Sequence, residues 1–277
     1  MLEILKYIIL GIIQGVTEVF PVSSSGHLTI FSHVFRTFDP SVLTVFLMIT
    51  NLGSFIALLF FFRKDVIVLI KSFFTFLFNK EKRNDPAVKE DFVYTWKLVV
   101  AVIPIGIAGL LLEKYLPTSL LAVGLALLIT GVLLFIVYTL RNKKFEAELT
   151  WKNAIIIGLF QTTAIMPGIS RSGITLIGGL SQKVEIKKVL KFSFLSYLII
   201  SVPVSIKGIA DAFSKSESIN VLGYFLAFVA SFLATYITVK ILYKSVKVKN
   251  LVYFAIYCLL MGGFAIIYHF VRWTKKY

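Results

Sequence analysis

The sequence predicts an all-α polytopic membrane protein: an inverted-topology repeat with six full transmembrane helices and two re-entrant helical hairpins. Three observations support this prediction. Hydrophobic residues make up 58% of the 277 residues, against roughly 45 to 50% in soluble domains. Six apolar runs are long enough to cross about 30 Å of hydrocarbon as helices. Two further apolar stretches resemble each other and are interrupted by Gly, Pro and hydroxyl residues.

The six uninterrupted runs are each predicted to form one full span. Their boundaries follow the apolar residues, since an α-helix needs about 20 of them to cross the hydrocarbon. The runs lie near 42–62, 95–112, 118–140, 190–209, 220–243 and 251–272. The single cysteine, Cys258, lies in the last run, where the role of a small buried apolar residue fits it best.

The two interrupted stretches, 4–35 and 153–182, are each predicted to form two short helices with an irregular break between them. Irregular backbone at membrane depth is tolerated only where it is buried in protein or lines a polar cavity, because each unsatisfied peptide group in lipid costs several kcal/mol. The two breaks therefore predict the position of a functional site.

An internal repeat relates the two interrupted stretches. A shift of 147 positions superposes polar and glycine residues of one stretch on identical residues of the other, namely Gly11 on Gly158, Gln14 on Gln161, Ser23 on Ser170, Ser25 on Ser172 and Gly26 on Gly173. The polar linker "RNKKFEAELT" then divides a single membrane domain into halves 1–140 and 141–277. Each half contains one hairpin and three spans, and an odd number of spans makes the halves inverted.

The basic residues predict an orientation. The net charge is +15, but the Lys and Arg residues lie in short loops between apolar runs, which indicates membrane topology and argues against a nucleic-acid partner. Of the 29 Lys and Arg residues, 19 lie in four segments, 63–97, 141–152, 183–191 and 244–250. The positive-inside rule makes these segments cytoplasmic and puts both termini outside.

The opposite loops contain few cations, with only Lys114 in 113–117 and Lys215 in 210–219. Arg272, Lys275 and Lys276 argue against this orientation, but charges at a terminus weigh less than charges in short loops. We therefore expect a multi-pass protein of the plasma membrane, with its site opening to the outer face.

The first hairpin contains the motif "QGVTEVFPVSSSGHL". Gln14 and Glu18 are four residues apart, so they share one helix face and could hold one ligand together. A carboxylate and an amide oxygen suit a hard divalent cation such as Mg²⁺ or Ca²⁺. The alternative is that Glu18 pairs with a structural arginine. An ionisable residue in an apolar segment favours the functional interpretation.

The serines after Pro21 predict an anion site. Ser23, Ser24 and Ser25 precede Gly26, and hydroxyls with free backbone N–H groups near a helix start can bind a phosphate. Each serine alone is better explained by local backbone satisfaction. His27 changes that balance, because a chain reversal at the proline could bring it to the carboxylate.

The second hairpin contains "PGISRSGITL", in which Arg171 has no acidic neighbour in sequence. The planar guanidinium group suits a phosphate bidentately, and Ser170, Ser172 and Thr175 add donors around it. The alternative is that Arg171 pairs with Glu18 of the other hairpin, a pair that a substrate could displace. Asn51, in the first full span, could face the same cavity or join two helices.

The two motifs resemble the signatures of a known family, the bacterial integral-membrane undecaprenyl-diphosphate phosphatases associated with bacitracin resistance. The resemblance covers nearly the whole chain and implies a fold with inverted repeats and two re-entrant hairpins. It implies hydrolysis of a C55 isoprenyl diphosphate to the monophosphate and inorganic phosphate, which recycles the lipid carrier for peptidoglycan precursors.

The resemblance also implies roles for individual residues. Glu18 matches the essential acidic residue, Gln14 a position that is Glu or Gln in the family, and Ser24 and His27 the catalytic serine and histidine. Arg171 matches the phosphate-binding arginine, with Ser170, Ser172 and Thr175 beside it.

Several alternatives stay open at this point. The nucleophile could be Ser24, His27 or a metal-bound water. A transporter or flippase for a polyprenyl phosphate would also use inverted repeats and a midplane site, although it explains Glu18 and His27 less well. The expected partners are the C55 lipid and the bilayer, and a homodimer could form.

Overall fold

The computed structural model describes residues 2–35, 40–214 and 220–274, and they form an all-helical protein. Besides short 3₁₀ turns and one isolated bridge between Ala147 and Val184, the described residues form helices joined by loops. The α-helices are α1 Leu2–Val19, α2 Ser24–Phe35, α3 Pro40–Phe61, α4 Arg63–Phe78, α5 Pro86–Leu112, α6 Leu120–Thr139, α7 Trp151–Thr162, α8 Arg171–Leu180, α9 Ile186–Ser214, α10 Val221–Ser245 and α11 Leu251–Thr274.

Six helical segments of the described chain are long and apolar enough to cross a membrane, as the sequence predicts. They are Leu43–Phe61, Pro86–Leu112, Leu120–Thr139, Ile186–Ile206, Val221–Ser245 and Val248–Arg272. Many large apolar side chains on these helices are exposed at the surface of the protein. This distribution fits a chain whose solvent is lipid, because apolar surface there needs no protein cover.

The segment 63–97 differs from the sequence prediction. In the sequence prediction, 63–97 is a segment between two spans, but α5 begins inside it at Pro86, within the charged stretch "NKEKRNDPAVKED". The Asp85 side chain accepts a hydrogen bond from the Ala87 backbone N–H at 2.8 Å, and proline fits the first position of a helix. The sequence prediction also missed α4, a helix of 16 residues.

The two interrupted stretches each form two helices joined by a break, as predicted. In the first break, Ser23 has a φ of +70°, and in the second, Gly168 has a φ of +100°. The helix after each break starts at a serine cap, since the Ser23 and Ser170 hydroxyls accept hydrogen bonds from the Gly26 and Gly173 N–H groups at 3.4 and 3.1 Å.

The helices that precede the breaks pack against long helices through glycines. α1 packs on α10 and α7 packs on α5. A Cβ atom on Gly11 would lie 2.4 Å from the Ala227 carbonyl oxygen, and one on Gly158 would lie 2.7 Å from the Ala101 carbonyl oxygen. Helix α6 packs on α11, and α3 packs on α9 and α10. Cys258 is buried, as expected.

A large cleft of about 1030 Å³ lies between α4, α5, α9 and the linker before α7. It is lined by residues of three segments that the sequence predicts to be cytoplasmic, 63–97, 141–152 and 183–191. Lys191 pairs with Asp65, and Lys188 pairs with Glu148, each at 2.5 Å. Lys215, Lys275 and Lys276, which the orientation prediction also used, lie outside the described residues.

Candidate functional site

Glu18, in the last turn of α1, is the centre of the site. Its side chain is 7% exposed, and its Oε1 accepts a hydrogen bond from Arg171 Nη2 at 2.5 Å. Its Oε2 accepts hydrogen bonds from Ser24 Oγ at 2.6 Å and Gln14 Nε2 at 3.0 Å. One carboxylate therefore joins the two sequence motifs, and the ion pair considered as an alternative is present.

Gln14 and Asn51 support the carboxylate from one side. Gln14 Nε2 also donates to Asn51 Oδ1 at 2.7 Å, so Asn51 of α3 faces the cluster. Gln14 Oε1 is buried and has no hydrogen-bond partner among the described residues. The equivalent residue of the second stretch, Gln161, lacks partners for both amide atoms within the same part of the chain. The two glutamines thus differ in their surroundings, although they align in sequence.

Arg171 is the first residue of α8 and lies over an aromatic ring. Its guanidinium carbon is 3.9 Å from the ring centroid of Tyr197, a buried residue of α9. The Tyr197 hydroxyl donates to the Asn51 backbone oxygen at 3.3 Å. A cation over a desolvated ring is attracted by the ring quadrupole. Tyr197 therefore fixes the arginine plane, with the Arg171 side chain still 25% exposed.

Some hydroxyl residues of the two motifs cap helices, and others bind partners elsewhere in the protein. Ser23 and Ser170 cap α2 and α8, as the local explanation of the serines expects. Ser172, in the first turn of α8, donates to the Phe20 backbone oxygen at 3.2 Å and links α8 to the first break. Thr175 is buried and pairs with the Ser193 hydroxyl at 2.6 Å. Thr175 is outside the set of residues that line the cleft described next.

A cleft of about 150 Å³ lies where the two breaks meet. Glu18, Ser24 and Arg171 contribute to its walls, and so do most of the predicted phosphate-binding serines. The complete lining is Thr17, Glu18, Ser23, Ser24, Ser25, Asn51, Ile105, Ala164, Ile169, Ser170, Arg171 and Ser172. Residues 147 positions apart thus contribute to one polar space.

A second, mainly apolar cavity of about 380 Å³ adjoins the cleft between α5 and α9. The two spaces share Asn51, Ile105 and Arg171 as lining residues. Beyond Arg171, the cavity walls include Leu110 and Ile200. A ligand with a charged end and an apolar tail would find a complementary surface for each part.

His27 lies apart from the carboxylate. It is fully buried, its Nδ1 is 2.7 Å from the Ser23 backbone oxygen, and its Nε2 is 2.8 Å from the Tyr257 hydroxyl. The His27 and Tyr257 rings are stacked, with centroids 5.4 Å apart. The expected chain reversal is present, but among the described residues the ring contacts α11 and makes no hydrogen bond to Glu18.

The donor atoms for a cation are few. The described residues contain no cluster of three or more His, Cys, Asp or Glu side chains that could hold a metal ion. Of the two residues expected to hold Mg²⁺ or Ca²⁺, Glu18 lines the cleft, whereas Gln14 turns its Nε2 toward Glu18 and has its Oε1 buried without a partner among the described residues. Mg²⁺ is often bound by one or two carboxylates while phosphate oxygens supply further ligands.

The contacts of Tyr197 with Arg171 and of Tyr257 with His27 were not predicted from the sequence. Both tyrosines lie in long apolar helices that are rich in aromatic residues, so neither differs from its neighbours by charge or by motif. Asn51 did carry a signal, because an amide is costly in an apolar run unless it is hydrogen-bonded.

The comparisons with known proteins agree over nearly the whole chain. The family model described as "Bacitracin resistance protein BacA" matches residues 7–264. An undecaprenyl-diphosphatase of Acholeplasma laidlawii (strain PG-8A) is 56% identical over 264 residues, which cover 94% of this chain and 95% of that protein. Undecaprenyl-diphosphatase 2 of Bacillus thuringiensis (strain Al Hakam) is 37% identical over 270 residues, covering 96% and 97%.

A third relative, the undecaprenyl-diphosphatase of Oceanobacillus iheyensis, is 36% identical over 271 residues, covering 96% of each chain. The matched region contains the second interrupted stretch, the first one from residue 7 onward, and all the residues that line the polar cleft. The chain belongs to the BacA family of bacitracin resistance proteins.

Proposed function

We propose that this protein hydrolyses undecaprenyl diphosphate to undecaprenyl phosphate and inorganic phosphate. The reaction would recycle the lipid carrier of peptidoglycan synthesis and contribute to bacitracin resistance. The observation that carries the proposal is the carboxylate of Glu18, which contacts both a serine hydroxyl and an arginine at a polar cleft. The activity named for the relatives supports it, and a carrier role alone is not favoured.

Binding would begin with an exchange of ion-pair partners. Arg171 pairs with Glu18 in the free protein, and a diphosphate presents the same kind of bidentate acceptor with more charge. The substrate would take the guanidinium group, which Tyr197 holds in place. The Ser25 hydroxyl also lies at the cleft and would donate to a phosphate oxygen. Ser172 would do so only by giving up its hydrogen bond to the Phe20 carbonyl oxygen.

Ser24 is the nucleophile that the geometry supports best. Its Oγ donates to Glu18 Oε2 at 2.6 Å, so the carboxylate can take the proton as the oxygen attacks the terminal phosphorus. Undecaprenyl phosphate would leave as the Oγ–P bond forms. Water would then hydrolyse the Oγ–P bond of the phosphoserine, which releases inorganic phosphate and regenerates the serine. His27 has less support as the nucleophile because both of its ring nitrogens are engaged, and a water nucleophile stays an alternative.

A divalent cation, Mg²⁺ or Ca²⁺, would be held by Glu18 and Gln14. When bound, it would supply positive charge that neutralises the diphosphate. The protein's own contribution is positioning and electrostatic stabilisation, on which phosphoryl transfer mainly depends. To share the cation with Glu18, the Gln14 amide would turn its unpartnered Oε1 to the place where Nε2 lies in the free protein.

The apolar cavity between α5 and α9 would accept the first part of the prenyl tail. It adjoins the cleft at Arg171 and is lined mainly by apolar residues. The remainder of a C55 chain is far longer than the cavity and would lie among the lipids. The headgroup would then reach the polar cleft laterally, and the tail would never cross a polar surface.

We also propose that α1–α2 and α7–α8 are re-entrant hairpins, and that 1–140 and 141–277 are inverted repeats within a single membrane domain. The pair Gly11–Ala227 and the pair Gly158–Ala101 support the repeat, because equivalent glycines make equivalent close contacts. In the plasma membrane, the site would open to the outer face. A homodimer could form and stays a prediction.

The test is phosphate release from undecaprenyl diphosphate by protein purified in detergent, where transport is impossible. We expect release that needs Mg²⁺ or Ca²⁺, that a chelator stops, and that Glu18→Gln and Arg171→Ala abolish. Glu148→Gln is the matched control, since Glu148 is an exposed partner of Lys188. No release by folded wild type would reject the diphosphatase in favour of the flippase.

A further inference from the structure

Ser23 holds an unusual backbone conformation next to the proposed nucleophile. Its φ of +70° lies in the left-handed region, which a serine seldom adopts without support from its surroundings. Ser24 follows directly and begins α2. The direction of the Ser24 side chain, and therefore its 2.6 Å hydrogen bond to Glu18, depends on the conformation of Ser23.

His27 supports this conformation twice. The Ser23 carbonyl oxygen accepts a hydrogen bond from the His27 backbone N–H at 3.2 Å, and it lies 2.7 Å from His27 Nδ1. A carbonyl can only accept, so Nδ1 carries a hydrogen. In the neutral ring, Nε2 is then an acceptor.

Tyr257 satisfies that acceptor. Its hydroxyl lies 2.8 Å from His27 Nε2, and its ring stacks on the imidazole at an interplanar angle of 5°. The hydroxyl therefore donates to Nε2 and selects the tautomer with the hydrogen on Nδ1. The hydrogen bonds run from the Tyr257 hydroxyl to His27 and from His27 to the Ser23 carbonyl.

We propose that Tyr257 and His27 are positioning residues: Tyr257 fixes the tautomer of His27, which holds Ser23 in its left-handed conformation and keeps Ser24 on Glu18. The inference rests on the proposed diphosphatase function. It gives His27 a role different from nucleophile or base, because neither ring nitrogen is left for the substrate. Tyr257 then acts on the reaction from α11, without touching the cleft.

Two substitutions of His27 separate this role from direct catalysis. In His27→Asn, the amide nitrogen can take the place of Nδ1 and donate to the Ser23 carbonyl. In His27→Gln, the longer side chain puts its polar end near Nε2, toward Tyr257, and leaves the carbonyl without a side-chain donor. Neither amide can act as a nucleophile or a base at neutral pH.

Phosphate release in detergent gives the readout. We expect His27→Asn to keep kcat within about tenfold of wild type, the effect of one weakened hydrogen bond. His27→Gln should lose about 100-fold, as misplaced reacting groups do. KM should stay unchanged in both variants. Equal and complete loss in His27→Asn and His27→Gln would overturn the proposal.

Tyr257→Phe tests the hydrogen bond between the Tyr257 hydroxyl and His27. We expect kcat to fall roughly 3- to 10-fold, as for one lost hydrogen bond, and the same change to have no effect in the His27→Asn background. Tyr253→Phe, on the same helix and 70% exposed, is the matched control. An unchanged kcat in Tyr257→Phe, or an equal fall in both backgrounds, would contradict the role of Tyr257.

Folding and the underlying activity are checked separately. Thermal unfolding in detergent identifies a variant that fails to fold. If His27→Asn fails to fold, Tyr257→Phe, which removes one oxygen atom, still tests the positioning role. Inactive wild type would refute the diphosphatase itself. Active wild type with the contradicting pattern would refute only the positioning pair.

Discussion

Glu18 makes side-chain contacts with residues from α1, α2 and α8, and the ion pair with Arg171 joins residues 153 positions apart. The pair is largely buried, with Glu18 7% and Arg171 25% exposed. Removing one partner of a buried pair typically costs about 3 to 5 kcal/mol, because the other charge is left uncompensated. Alanine variants therefore mix stability with catalysis, and conservative changes are more informative.

Arg171→Lys keeps the charge but removes the planar fork and the stacking on Tyr197. We expect kcat/KM for undecaprenyl diphosphate to fall by about 10- to 100-fold, since a lysine binds phosphate as a point charge. Arg141→Lys is a matched control, because Arg141 lies over the Tyr138 ring at 4.3 Å outside the site. Wild-type kinetics in Arg171→Lys would mean that the fork is not used.

Most of the individual residues that line the cleft could be predicted from the sequence. Glu18, Arg171 and the serines stand out because charge and hydroxyl groups are costly in apolar segments unless they are used. The contacts of His27 could not be predicted, because they depend on which helix packs against α2. The partner ring, Tyr257, belongs to a helix more than 200 residues away in sequence.

At the scale of helices, close packing of α1 on α10 and of α7 on α5 holds the two breaks in place. Both contacts need a residue without a Cβ atom, at Gly11 and Gly158. Small residues at such interfaces let helix backbones approach in lipid, where the hydrophobic effect does not drive helices together.

Gly11→Ala and Gly158→Ala should each destabilise the protein by about 1 to 3 kcal/mol, the usual cost of overpacking. Gly263→Ala is the control, because a Cβ atom there meets no atom within 4 Å and alanine favours helix over glycine. Thermal unfolding in detergent measures the difference. Equal stability of Gly11→Ala and Gly263→Ala would show that α1 can move away from α10 at no cost.

The six spanning helices were predictable because hydropathy alone defines them. Helix α4 was not, since its 16 residues are too few for a full span and it follows α3 after a single residue. Its apolar side chains, among them Phe74 and Phe78, are exposed. The prediction considered only runs long enough for a full span, and this apolar stretch, which contains Lys71, is shorter than one.

For the whole molecule, the cleft of about 1030 Å³ gathers residues of three lysine-rich segments on one face. The positive-inside rule requires these segments to share a side, and they do. Lys114 follows the end of α5, whose beginning lines the cleft. Five of the lining residues are lysines, namely Lys64, Lys89, Lys97, Lys188 and Lys191.

Cysteine labelling tests the orientation. The single native cysteine, Cys258, is buried, so the background should be low. In intact cells, a membrane-impermeant maleimide should label Lys114→Cys and should leave Lys143→Cys and Lys247→Cys unlabelled until the membrane is opened. All three positions are exposed on the protein surface. The reverse pattern would turn the molecule around and make the proposed site open inward.

The long separation between the partners of the central ion pair also matters during synthesis. Glu18 leaves the ribosome 153 residues before Arg171, an interval of roughly 8 to 30 s at about 5 to 20 residues per second. In the folded protein, Arg171 is the cation that pairs with Glu18 among the described residues. The newborn protein therefore acquires its central ion pair only after more than half of it has been made.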